Sequence, residues 1–321
     1  MTESNLLDAF IKALFKKINK KSELVNYIAN TLEIQKESAV RRLNKTVYFT
    51  VSEMGILASK LGISIDGILK YEYDTFPVYR LQSPKSVSSL DNLRDWMESE
   101  LSFLDYMSKD PIEYGLIFNS FPLEIVIPYP NLLRFVYFKW GYYFLDSDLC
   151  NDFSSWQIPS QLAPPTIKVM DVFGKLEDIT YIWDVTALSC LLKDIEYFIN
   201  LKVLDLKDIE LIKIDLHQML DDLNKVANGI CINHMNANKI QIYISTLHIG
   251  SNFSYFLTPT SCFSSFQAYF QNFNYSDNYA ACIQIRSWMN SMKKVCTLIS
   301  GSGAKERKLF FEDQHRIIDI L

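Results

Sequence analysis

The segment TVSEMGILASKLGI, Thr50 to Ile63, is closed at both ends. Thr50 followed by Glu53 is the S/T-x-x-E arrangement, in which a hydroxyl and a carboxylate satisfy backbone amides at a helix start. Met54, Leu57, Ala58 and Leu61 fall on one helical face, and Gly62 stands where a chain leaves a helix in the left-handed conformation. One short amphipathic helix is therefore fixed, and the residues before it repeat the pattern. Leu7, Phe10, Ile11, Leu14, Phe15 and Ile18 form one helical stripe with Lys12, Lys16 and Lys17 off it. Ser22 offers an N-cap to a second helix carrying Leu24, Ile28, Ala29 and Leu32 and ending near Leu32. Lys36 to Leu43 predicts a third helix, with Ala39 and Leu43 one turn apart and Lys36, Glu37, Val40 and Arg41 on other faces. Ser64 caps a fifth short helix, SIDGILKYEY.

Five helices of these lengths, with LVNYIANTLEIQKESAVRRLN for the second and third and FTVSEMGILASKLGISIDGIL for the fourth and fifth, resemble the lambda-repressor and Cro type of helix-turn-helix domain. The pattern matches where packing demands it: Ala29 at the close crossing, Leu32 before the turn, Ile34 within it, Ala39 and Leu43 beneath the third helix. Glu33 departs from it, standing at the turn position usually given to glycine; it must either adopt a positive φ at some cost or use a different turn. The C-terminal stretch CTLISGSGAKERKLFFEDQ resembles uncharacterised bacterial regulators that bear this domain.

The resemblance implies that residues 36–43 form a recognition helix lying in the major groove of duplex DNA. Gln35, Lys36 and Glu37 begin that helix, with Val40 and Arg41 one turn on, and these are the expected base contacts. Glutamine pairs with adenine, arginine and lysine with guanine, glutamate with the cytosine amine, and a valine meets a thymine methyl. Arg42, Lys45 and Tyr48, with Lys20, Lys21 and Ser22 before the second helix, are expected on the phosphate backbone. The overall charge of -5 is unevenly placed. Residues 1–70 carry eleven lysines and arginines against seven acids, and the rest of the chain carries twenty-one against thirty. A basic module joined to an acidic body permits nucleic-acid binding.

From Tyr71 to about Asp91 two prolines and four serines mark a seam. The organisation read is a DNA-binding domain over 1–72, a linker over 73–91 and a mostly helical regulatory or dimerisation domain over 92–321. In that body DNLRDWMESELSFLDYMSKD through NLLRFVYFKWGYYFLD reads as helical, and Phe135, Tyr137, Phe138, Trp140, Tyr142, Tyr143 and Phe144 as core packing. Helices resume from about Ile179 to Ala227 and close the chain over AACIQIRSWMNSMKKVCTLIS and AKERKLFFEDQHRIIDIL. KIQIYISTLHI alternates, and with the aromatic FSYFLT predicts one small antiparallel hairpin. The fold class expected is mainly α: a five-helix module plus a larger helical domain with that hairpin.

Catalytic groupings are not found. SGSGAK lacks the spacing and following hydroxyl of a phosphate loop and reads as a hinge between helices. His217, His234, His248 and His315 show no paired-ligand spacing, Cys231 and His234 alone close no metal site, and Asp221 and Asp222 point in different directions. No enzyme, cofactor or metal is expected. Six scattered cysteines, without CxxC, indicate reduced buried thiols and a cytoplasmic protein. The amino terminus is unlike a secretory signal. The apolar region Ile112 to Leu145, broken by charges and prolines, falls short of the roughly 20 residues of a membrane span. The partner expected is double-stranded DNA, bound by a homodimer because one short helix covers few base pairs; an unknown small-molecule effector is left open. The alternative is a protein-interaction or phage-type immunity protein using the helix-turn-helix as a docking surface.

Overall fold

The structure is a computed structural model that describes residues 3–63, 65, 89–107, 112–145, 152–232, 235–269 and 272–321. The chain divides into two compact units, Met1–Val78 and Tyr79–Leu321. The expected fifth helix and most of the expected linker lie outside the described residues.

In the first unit, α1 (Glu3–Lys17), α2 (Lys21–Leu32), α3 (Lys36–Leu43) and α4 (Val51–Leu61) enclose a core that includes Phe10, Leu14, Leu24, Ile28, Ala39 and Leu57. Phe49, in the loop before α4, meets Phe10 edge to face at 5.6 Å. The capping box on α4 is complete: the Glu53 amide donates to Thr50 Oγ1 at 3.2 Å and the Thr50 amide donates to Glu53 Oε2 at 2.9 Å. Gly62 ends α4 with φ 60°. Ser22 does not cap α2; the helix begins two residues earlier than that cap implies, with Lys20 extended at the cap position and no side-chain cap bond.

The second unit departs from the expected helical body. Its strands are β1 (Glu113–Phe118), β2 (Asp178–Asp184), β3 (Ile240–Ser245), β4 (Phe253–Leu257), β5 (Cys262–Tyr269), β6 (Asn272–Ser276) and β7 (Thr297–Leu298). They form one seven-stranded mixed sheet in the order β6-β5-β4-β1-β2-β3-β7. Strands β1, β2 and β3 are parallel neighbours, registered Glu113↔Asp178 to Phe118↔Trp183 and Ile179↔Ile240 to Asp184↔Ser245. β4 joins β1 antiparallel, β5 and β6 follow as antiparallel neighbours, and β7 pairs antiparallel with β3. The segments expected to form a hairpin are therefore β3 and β4, separated in the sheet by β2 and β1. The physical reason is burial on both faces. Nearly every residue of EYGLIF and DITYIWD is inside, so neither run shows the alternation of a half-exposed strand, and such apolar runs read equally as helix.

Parallel strands need crossovers, and helices supply them. After α5 (Leu90–Met107), the path from β1 to β2 runs through the single turn α6 (Leu123–Val126), α7 (Pro130–Phe144) and α8 (Ala163–Phe173). That from β2 to β3 runs through α9 (Ala187–Asn200) and α10 (Leu206–Ala227). One sheet face, with Tyr114, Leu116, Phe118, Tyr181 and Trp183, belongs to the large core shared with these helices and with the closing α12 (Ala304–Ile320). The other face, with Ile117, Ile182 and Tyr255, is packed by Cys282, Ile285 and Met289 of α11 (Tyr279–Met292). The SGSGAK segment joins β7 to α12 rather than helix to helix.

Candidate nucleic-acid interface

The turn between α2 and α3 resolves the two options left at Glu33. Its φ of 55° and ψ of 43° are left-handed, and its amide donates to the Ala29 carbonyl. Ile34 donates to the same carbonyl at 3.0 Å, and Gln35, extended at φ -67°, opens α3 without a side-chain cap. The first amides of α3 are thus left to solvent or an acceptor group.

α3 is eight residues long and buries only Ala39 and Leu43. Such a helix is held by its neighbours and leaves its other faces outward. Gln35, Lys36, Glu37 and Arg41 are exposed, and neither Lys36 nor Arg41 has an ion-pair partner among the described residues. Val40 is half-buried against the unit's core.

The residues expected on phosphates separate into two groups. Lys20, Lys21, Ser22 and Tyr48 are exposed. Lys20 pairs with Glu23 at 3.1 Å on the open surface, and Lys21 Nζ donates to Asn44 Oδ1 at 3.1 Å, joining the start of α2 to the end of α3. Arg42 is turned inward instead. Its guanidinium donates to Glu53 through Nε at 3.0 Å and Nη2 at 2.6 Å, and through Nη1 to the Ser38 carbonyl at 3.3 Å. Arg42 is a strut from α3 to the capping box of α4, and that bond holds the Glu53 carboxyl below the usual carboxylate range. Lys45, at φ 61°, pairs with Asp8 of α1. An apolar set is also exposed in this unit: Val47, Tyr48, Val51 and Ile56, with Val51 at 85%.

In the second unit Phe135, Tyr137, Phe138 and Trp140 are core residues, whereas Tyr143 is 48% exposed. His217 and His315, 98 residues apart in sequence, stack with Nδ1 atoms 2.7 Å apart, and their Nε2 atoms meet Asp319 at 3.3 Å and Asp221 at 3.2 Å. Nothing in the sequence signals that pairing. Asp222 turns to Lys225 and Tyr129, so the adjacent carboxylates do face different partners. Among the described residues no three or more His, Cys, Asp or Glu converge as a metal site; His234 and Cys150 lie outside them. Cys262 and Cys282 are buried free thiols, but Cys190 and Cys231 are exposed, contrary to the expectation of uniform burial.

Comparisons with protein-family models, curated proteins and solved structures give no match. Among the described residues no helix is long and apolar enough to cross a membrane.

Proposed function

We propose that the chain is a sequence-specific, duplex-DNA-binding transcriptional regulator of the cytoplasm, acting as a homodimer with α3 in the major groove. The observation that carries this reading is the short helix itself. It buries two residues and presents Gln35, Lys36, Glu37 and Arg41 outward, with both of its free cations unpaired among the described residues. Those side chains match the donors and acceptors of base edges in the groove. Arg41 is assigned to guanine, and Lys20, Lys21, Ser22 and Tyr48 to phosphates. Lys45 reaches a phosphate by releasing Asp8. Arg42 acts through Glu53, holding α3 at its angle to α4. The likeness to lambda-repressor and Cro domains supports the same reading, and the second unit is assigned to dimerisation or signal sensing.

The test is selection of bound fragments from random duplex DNA by the full-length chain. An enriched sequence with two half-sites is expected, with log K falling linearly as log salt rises. Arg41→Ala weakens binding to the selected site by about 1 to 3 kcal/mol and relaxes one base position. No enrichment, or unchanged affinity in Arg41→Ala at fixed salt, overturns the reading. A second reading, docking of a protein partner, draws support from the exposed Val47, Tyr48, Val51 and Ile56. It predicts no enrichment of any duplex.

A further inference from the structure

The large-core face of the sheet is apolar along β1 and β2 but not along β4 and β5. Side chains alternate along a strand, so Ser254 and Phe256 of β4 share that face with Phe263, Ser265 and Gln267 of β5. Ser254 and Ser265 stand directly opposite each other, at 6% and 5% exposure, with their Oγ atoms 2.7 Å apart. Two hydroxyls that share one bond use one hydrogen between them. The second has no acceptor among the described residues, which a buried polar pair ordinarily avoids.

These groups line a cavity of about 180 Å³, whose apolar wall includes Leu116, Val136, Val169 and Phe256. Gln267, also on the lining, accepts from Ser120 Oγ at 3.2 Å through Oε1, leaving its Nε2 hydrogens without an acceptor among the described residues. Asn252 is by contrast committed. It accepts from the amides of Asn119 at 2.9 Å and Ser120 at 3.2 Å and donates to the Ser120 carbonyl at 2.9 Å, fixing the turn after β1. The wall therefore keeps donors without acceptors, one serine hydroxyl hydrogen and the Gln267 amide hydrogens, beside the hydroxyl lone pairs, and an acceptor on a ligand would satisfy those donors.

Charge narrows the ligand further. No lysine, arginine or histidine lines the cavity among the described residues, and its single carboxyl there, Glu124, is 7% exposed. Burial pushes the Glu124 carboxyl up to about 7, against the Tyr114 hydroxyl donating to it at 3.0 Å. An anion would enter without a counter-charge, at a cost that rules out phosphates and carboxylates. Size sets the apolar part: a cavity of about 150 Å³ lined by aliphatic and aromatic side chains takes one benzene ring.

We propose that this cavity is a binding site for a small uncharged molecule, with an apolar body the size of one ring and a hydrogen-bond acceptor directed at Ser254, Ser265 and Gln267. The site stands independently of the DNA-binding reading, and loss of either leaves the other intact. The test titrates the full-length chain with benzamide and with benzoate, which share a ring and differ in charge, followed by thermal melting and ligand-observed NMR. Benzamide is expected to raise the melting temperature saturably, and benzoate to bind at least about tenfold more weakly. Ser265→Leu, which removes a donor and occupies the space, weakens benzamide at least about tenfold. Val136→Phe fills the same cavity from α7 and replaces that variant if Ser265→Leu fails to melt cooperatively. Absence of saturable benzamide binding, equal binding of benzoate, or unchanged affinity in a filled variant that melts cooperatively overturns the proposal.

Discussion

Glu33 carries a backbone cost that the helix pair accepts in order to turn. A side chain at φ 55° crowds its own carbonyl, and glycine escapes that penalty. Glu33→Gly is therefore expected to stabilise the chain by about 1 kcal/mol in urea denaturation, because the exposed glutamate loses no buried contact. Glu53 does two jobs eleven residues from its partner, capping α4 and receiving Arg42, which is 15% exposed at its side chain. Removing the carboxylate in Glu53→Ala deletes a cap and strands a guanidinium, and costs about 2 to 3 kcal/mol, read as a lowered denaturation midpoint. The folded carboxyl titrates below its ordinary value of 4.5, so its contribution is fully present above that value and is lost as pH falls through the lower folded one. Melting in progressively more acid buffer should accordingly narrow the difference between wild type and Glu53→Ala. The capping half of this was legible from T-x-x-E, but the Arg42 half was not, since sequence spacing does not say which way an arginine on a short helix points.

At the scale of elements, α1 to α4 could be read from their stripes and stops because each has one wet face, which writes a period into the sequence. The strands β1 and β2 have none and wrote no period. Gly115 shows how tightly β1 is enclosed. A Cβ there would stand 2.6 Å from Tyr255 Cζ, and nearer still to Cε1. The ring cannot swing aside freely, since its hydroxyl donates to Glu113 at 2.7 Å and Glu113 also receives Arg286 at 2.7 Å. Gly115→Ala should cost about 3 kcal/mol by chemical denaturation, the upper end of ordinary overpacking. α3 illustrates the opposite dependence: at eight residues it is too short to persist alone, and it exists because Ala39, Leu43 and Arg42 are held by α2 and α4.

Across the whole molecule the two units respond to acid with opposite sign through the groups singled out here. Glu53 stabilises the first unit as pH rises past the carboxylate range. Glu124, in the second, is pushed by burial from 4.5 up to about 7, with the Tyr114 hydroxyl donating to it at 3.0 Å. A raised carboxyl binds more protons in the folded state, so its stabilisation is complete below 4.5 and declines as pH rises to about 7. Glu124→Gln keeps an acceptor for Tyr114 and removes the titration. Relative to wild type it should gain stability steadily between those two pH values, on the order of 3 kcal/mol at the top, and stay level above them. Calorimetry of both proteins across that window gives the difference directly, and a flat difference would refute the assignment.

The sequence by itself determined the first four helices, the capping box and glycine stop of α4, the outward polar set on α3 and the uneven distribution of charge. All of these are written in neighbours along the chain, where a period or a cap joins residues no more than a few positions apart. The tertiary structure alone decided the seven-stranded sheet, the inward turn of Arg42 onto Glu53, the pairing of His217 with His315 and the polar wall of Ser254 and Ser265. Each of these joins residues far apart or buried on every side, and burial on every side removes the contrast between wet and dry faces from which a sequence is read.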